Sequence, residues 1–140
     1  MTDAYQLSGL DTSVVLRLLI GEPPDQAKIA LQFVQDEAAK GRPSVASDLV
    51  VVEAYFALYS HYGVPKENAL RTLLQLLESG LVAPEPGGAS VLALKATLHA
   101  SKKMGFADRL IHARYKSLSA TMITFEKAAS RLPDTRVLKT

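Results

Sequence analysis

The chain has no cysteine. That excludes a disulfide framework, a thiolate zinc site and a cysteine nucleophile, and it is consistent with a reducing compartment. No apolar run approaches the ~18 residues that a membrane-spanning helix needs, so no membrane contact is expected. Met1 to Tyr5 show no basic stretch leading into a long apolar one. The expectation is therefore a cytoplasmic protein with no secretory signal. His61, His99 and His112 are scattered, with no HxxxH or HExxH spacing, which removes the common zinc motifs. The glycine-rich P-loop and dinucleotide patterns are missing, and so is the GxSxG elbow of a serine hydrolase. There is no internal repeat and no low-complexity segment.

What is present is ordinary globular composition. Of the 140 residues, 48% are hydrophobic and 21% charged, enough for one domain covering residues 1–140 with a real core. A chain of this size buries roughly two-thirds of the surface it would expose unfolded. The net charge is only +2, but its distribution is uneven. Residues 1–94 carry six basic and eleven acidic side chains, and residues 95–140 carry ten basic and three acidic. Such polarity suits a basic surface for a polyanion. It equally suits solvated helix faces, and charge alone favours that plainer account.

The pattern predicts short strands alternating with helices. A strand over Gln6 to Leu10 leads to the capping residues Asp11-Thr12-Ser13 and an apolar helix stopped by Gly21. Pro23 and Pro24 open a second helix ended by Gly41. Pro43 to Ala46 forms a strand, and Ser47 or Asp48 caps a helix to about Tyr62. Pro65 opens a fourth helix ending near Gly80. Leu81 to Ala83 reads as a strand, Ser90 to Met104 as a helix, and Ala107 to Leu118 as another. A strand at Ala120 to Thr124, a helix at Phe125 to Leu132 and a strand at Arg136 to Leu138 complete the chain. This alternation predicts an α/β layer fold with a mostly parallel sheet.

Four carboxylates stand out. Glu53 is the lone charge between Leu49 and Tyr59. Either it is buried on an apolar helix and needs a partner, a proton or a metal, or it lies on a polar stripe facing water. Asp11 falls at the expected carboxyl end of the first strand, where open α/β sheets bind ligands, and by itself it reads as a helix cap. Asp108 and Glu126 each read singly as acids in the first turn of a helix, where the helix dipole favours them. Taken together, the four are hard oxygen donors suited to Mg²⁺ or Mn²⁺. Asp48 lies about 500° around an ideal helix from Glu53, off its face, and reads as a cap. Asp108 and His112, four apart, could touch as a surface pair.

The segments Leu10-Asp11-Thr12-Ser13, Val52-Glu53-Ala54, Gly105-Phe106-Ala107-Asp108-Arg109-Leu110-Ile111 and Ile123-Thr124-Phe125-Glu126-Lys127 resemble, in that order, the PIN-domain nucleases. Among these they look most like the VapC-type toxins of toxin–antitoxin pairs. The resemblance runs from about Leu10 to Leu138. It implies a three-layer α/β/α sandwich and a Mg²⁺- or Mn²⁺-dependent endoribonuclease that cuts a phosphodiester with a metal-activated water. Carried over, Asp11, Glu53 and Asp108 match the three central acids. Glu126 matches the fourth, where the family more often has Asp. Thr12, Ser13 and Thr124 match hydroxyl positions that support the acids. The resemblance also implies homodimerisation and a groove for a cognate antitoxin, for which the apolar residues Val15, Leu16, Leu19, Ile20, Ile29, Leu31 and Phe33 are candidates. Core packing is the plainer account of most of them.

Lys102, Lys103, Arg109, Arg114 and Lys116 lie close to Asp108 in sequence and are candidates to grip RNA phosphates without reading bases. Glu126 in place of Asp keeps open a different class of function, a catalytically weak PIN-like module that binds RNA or protein. A receiver-like α/β domain also clusters acids around Mg²⁺, but its phosphoacceptor Asp and late Lys cannot be placed here.

Overall fold

In the computed structural model, residues 7–100 and 104–139 are described. Strand β1 (Gly9–Leu10) leads into α1 (Thr12–Ile20) and α2 (Pro24–Ala39). β2 (Ser44–Ala46) leads into α3 (Asp48–Ser60) and α4 (Lys66–Leu77). β3 (Val82–Pro84) precedes α5 (Ala89–His99) and α6 (Phe106–Ser117). β4 (Met122–Thr124), a 3-10 turn (Lys127–Arg131) and β5 (Thr135–Val137) follow.

Local chemistry sets these boundaries. The Asp11 side chain caps α1 by accepting the Ser13 and Val14 N–H groups, and Gly21 closes it in the left-handed conformation at φ 78°. A residue without Cβ adopts that conformation at little cost. Pro24 opens α2, where its missing N–H costs nothing. Of the two candidate caps for α3, it is Ser47 that accepts the Val50 N–H. Asp48 is the first helical residue and is buried, a correction to its reading as a cap.

β1, β2 and β3 form a parallel ladder in that order, with Leu10 opposite Ala46 and Ala46 opposite Pro84. β4 and β5 form a second parallel ladder, with Met122 opposite Thr135. The strands are only two or three residues long, and β1 and β2 are each followed at once by a helix-capping residue, Asp11 and Ser47. The result is the short parallel sheet and three-layer α/β/α architecture the sequence predicts. Its pairing falls into two ladders among the described residues.

The main core gathers one face of each helix around the first ladder. It includes Val15, Val34, Val51, Leu58, Leu73, Leu94 and Phe106. Phe106 is fully buried and meets Tyr55 edge to face with ring centroids 5.3 Å apart, a favoured aromatic geometry. A smaller cluster of Met104, Met122 and Ala129 underlies the second ladder.

Three expectations need correction. The helix foreseen from Phe125 to Leu132 is only the five-residue 3-10 turn, and Glu126 is extended before it. α5 ends at His99 rather than Met104. Ile29, Leu31 and Phe33 are exposed rather than core. The face of α2 that packs inward is formed by Ala30 and Val34, and at helical spacing these three point elsewhere.

Candidate active site

Two pairs of acids arise at the carboxyl ends of β1 and β4 and on the helices beside them. Asp11 immediately follows β1. Its Oδ1 accepts from the Ser13 N–H at 2.8 Å, the Ser13 hydroxyl at 2.6 Å and the Val14 N–H at 3.4 Å. The Ser13 hydroxyl, then the Val14 and Ser13 N–H groups, hold the Asp11 carboxyl below the usual carboxylate range. All three bonds fall on one oxygen, so Oδ2 has no donor among the described residues.

Glu53 lies on the exposed side of α3 with Leu49 and Phe56. The buried side holds Val51, Ala54, Tyr55 and Leu58. Of the two readings of Glu53, the structure selects exposure. The helix only looked buried because apolar Leu49 and Phe56 share its outer face. Glu53 is nevertheless tied to the end of β1, since the Thr12 hydroxyl donates to its Oε1 at 3.0 Å across 41 residues of sequence. Its second oxygen, like that of Asp11, has no donor among the described residues.

Asp108 stands exposed in the first turn of α6. It shares a cavity of about 210 Å³ with Glu126, Thr124, Ile111, Tyr115 and Met122. The Thr124 hydroxyl oxygen accepts the Glu126 N–H at 3.0 Å and fixes the backbone after β4. Among the described residues, no group of three or more Asp, Glu, His or Cys side chains is placed to hold one metal ion. Glu53 is linked to the end of β1 through Thr12, and Asp108 and Glu126 line one cavity.

The donors fit a hard divalent cation in kind. They are carboxylate oxygens, and Asp11 and Glu53 each have one oxygen anchored by a hydroxyl.

The basic candidates divide. Lys102 and Lys103 lie outside the described residues. Arg109 lines a separate cavity with Lys127 and Arg131. Lys116 is exposed in the last turn of α6. Arg114, though half exposed, is engaged with the protein's own acids, 2.6 Å from Asp48 Oδ2 and 3.1 Å from Glu85 Oε2. Glu85 Oε1 in turn accepts the Asp48 N–H at 2.6 Å. That N–H, with Arg114, holds the Glu85 carboxyl below its ordinary value. Sequence reasoning missed this triad because its members are 29 and 37 residues or more apart. The one available signal was a second acid, Asp48, next to a helix-capping serine. His112 makes no contact with Asp108. It is buried, and its Nε2 meets the Pro133 carbonyl at 2.6 Å.

A three-layer α/β/α fold around a short parallel ladder, with acids just past strand ends, defines the class of protein. The sequence pattern of the PIN domain matches residues 10–134, and the chain belongs to that family. PIN domains are in general metal-dependent nucleases. Comparison with curated proteins and with solved structures gives no match. No helix among the described residues is long and apolar enough to cross a membrane.

Proposed function

We propose that this protein is a Mg²⁺- or Mn²⁺-dependent endoribonuclease, the toxin of a toxin–antitoxin pair, with Asp11, Glu53, Asp108 and Glu126 as its metal-holding acids. The observation that carries the reading is the Thr12–Glu53 hydrogen bond. It brings the acid of α3 to the end of β1, beside an Asp11 kept ionised by Ser13. A bound divalent cation would supply a nucleophile from water and charge neutralisation at the phosphate. The chain's own part is to present ionised carboxylates and fix their orientation. Ser13 holds Asp11, Thr12 holds Glu53, and Thr124 sets the backbone of Glu126. Glu126 is one methylene longer than the family's usual Asp, so it reaches further from the end of β4.

The apolar groove of about 590 Å³ between α1 and α2, which includes Leu10, Val14, Arg17, Ile29 and Phe33, supports a protein partner such as an antitoxin segment. A second copy of the chain and a cytoplasmic setting belong to the same reading. The second class, a binding module with weak catalysis, draws support from Glu126, which stands where the family more often has Asp.

The test is cleavage of single-stranded RNA by purified protein with Mg²⁺ or Mn²⁺, stopped by EDTA. Asp11→Asn and Asp108→Asn should each remove cleavage while leaving thermal unfolding nearly unchanged, since both side chains are exposed. Full cleavage by either variant rejects the assignment. Calorimetric Mn²⁺ binding without turnover selects the binding module.

A further inference from the structure

The strongest unassigned feature is a basic cavity beside the second pair of acids. It has a volume of about 510 Å³ and is lined by Arg109, Lys127, Ser130 and Arg131 over Met104 and Leu132, with no carboxylate in its wall. Three cations facing one small space repel one another, an arrangement that an anion relieves. Several cations elsewhere are neutralised: Arg71 pairs with Glu67, Lys95 with Glu78, and Arg114 with Asp48 and Glu85. Among the described residues, Arg109, Lys127 and Arg131 pair with no carboxylate. The single hydrogen bond among the three is internal, from Arg109 Nε to the Met104 carbonyl at 3.4 Å, and it steadies the guanidinium at the cavity.

The position of the cavity ties it to the acids. Met104 lines both this cavity and the one holding Asp108 and Glu126. Arg109 directly follows Asp108 on α6, and Lys127 directly follows Glu126 after β4. The same two segments thus offer an acid to one cavity and a cation to its neighbour. A ligand with regularly spaced negative charges matches that alternation. One phosphate can be handled at the carboxylates through a cation, and the next held directly by guanidinium and ammonium groups.

We propose that the cavity of Arg109, Lys127 and Arg131 is a subsite for a backbone phosphate of single-stranded RNA, next to the phosphate presented to Asp108 and Glu126. This rests on the nuclease reading for the identity of the neighbouring cavity. Among the described residues, the remaining wall is alanine, leucine and methionine with the Ser130 hydroxyl. The subsite therefore grips and positions the strand without selecting bases.

The experiment pairs binding with turnover. Anisotropy of a labelled eight-nucleotide single-stranded RNA in EDTA is measured across a salt series, and cleavage kinetics are measured with Mn²⁺. The variants are Lys127→Ala/Arg131→Ala and, as a control, Arg71→Ala, which lies on α4 and is paired with Glu67. Lys127 and Arg131 are exposed, so the double variant folds. The subsite predicts roughly tenfold weaker binding and a log–log salt slope shallower by about 0.7 for each phosphate that is no longer neutralised. It also predicts KM raised on the order of tenfold with kcat little changed, the mark of weakened uniform binding. Cleavage with unchanged KM and salt slope in the double variant overturns the subsite and leaves the nuclease reading intact. An equal loss in Arg71→Ala overturns it as general electrostatics. Variant-sensitive RNA binding by a protein that cuts nothing with either metal upholds the subsite and overturns the nuclease reading. Binding of a polyglutamate peptide in preference to RNA, abolished in the double variant, overturns the subsite in favour of an acidic protein partner.

Discussion

Replacing Arg114 by methionine would strand a carboxylate inside the protein. The Asp48 side chain is 5% exposed, and among the described residues its Oδ1 has no hydrogen-bond partner and its Oδ2 is bonded by Arg114 at 2.6 Å. Breaking a fully buried ion pair costs about 3–5 kcal/mol. An exposed pair is worth about 1 kcal/mol or less. Arg114 is itself 54% exposed, so solvent screens its side of the interaction and water can partly replace it. The expected cost is therefore intermediate, about 2 kcal/mol, or a fall in Tm of roughly 6–10 °C for a domain of this size. Equilibrium urea unfolding at pH 7 measures it.

The double variant Asp48→Leu/Arg114→Met removes both charges and fills the space with apolar groups. It should be less destabilised than the sum of the single variants by about 1–2 kcal/mol. Glu85 adds a pH signature. Its folded pKa lies below its unfolded one, so its contribution is full above the unfolded pKa. It is lost as the pH falls through the folded value. Wild type should thus lose more stability in acid than Glu85→Gln. A cost below about 0.5 kcal/mol for Arg114→Met, or strict additivity in the cycle, would refute a structural triad and return Arg114 to the RNA-facing surface.

Two more outcomes follow from the geometry. Ser13→Ala removes the largest cause of the depressed Asp11 pKa. The Asp11 carboxyl should titrate at higher pH by NMR, and Mn²⁺ affinity should fall about 10–100-fold, the usual effect of losing a ligand's supporting hydrogen bond. An unmoved Asp11 titration would contradict the hydrogen-bonded geometry. Phe106→Ala should cost about 3–5 kcal/mol in urea unfolding, because the ring is fully buried against Tyr55. A cost under about 1 kcal/mol would mean that the core closes without it.

Much of the architecture is legible in the chain because its signals are local. Gly21 after an apolar run, Pro24 at a helix start and Ser47 before α3 each act within one turn of backbone. The short runs at Leu81 to Ala83 and Ala120 to Thr124 read as strands, and the structure has strands at Val82–Pro84 and Met122–Thr124. The 3-10 turn at Lys127–Arg131 was harder. Its composition, with two alanines, suits an α-helix, but Pro133 follows and Ala129 is held into the Met104–Met122 cluster, which leaves no room for further turns.

The site divides along the same line. The order of residues is enough to say which acids are present and where each lies relative to a cap or a strand end, because those are properties of neighbours in the chain. It is also enough for membership of the PIN family, since the motifs lie in order from residue 10 to residue 134. It takes the folded chain to turn Glu53 outward and yet bring it to Thr12. Folding likewise gives Arg114 to two carboxylates while Arg109, Lys127 and Arg131 share a cavity without any. Whether a charge is spent inside the protein or left for a ligand depends on which distant side chain folds against it, and hydrophobic periodicity carries no information about that choice.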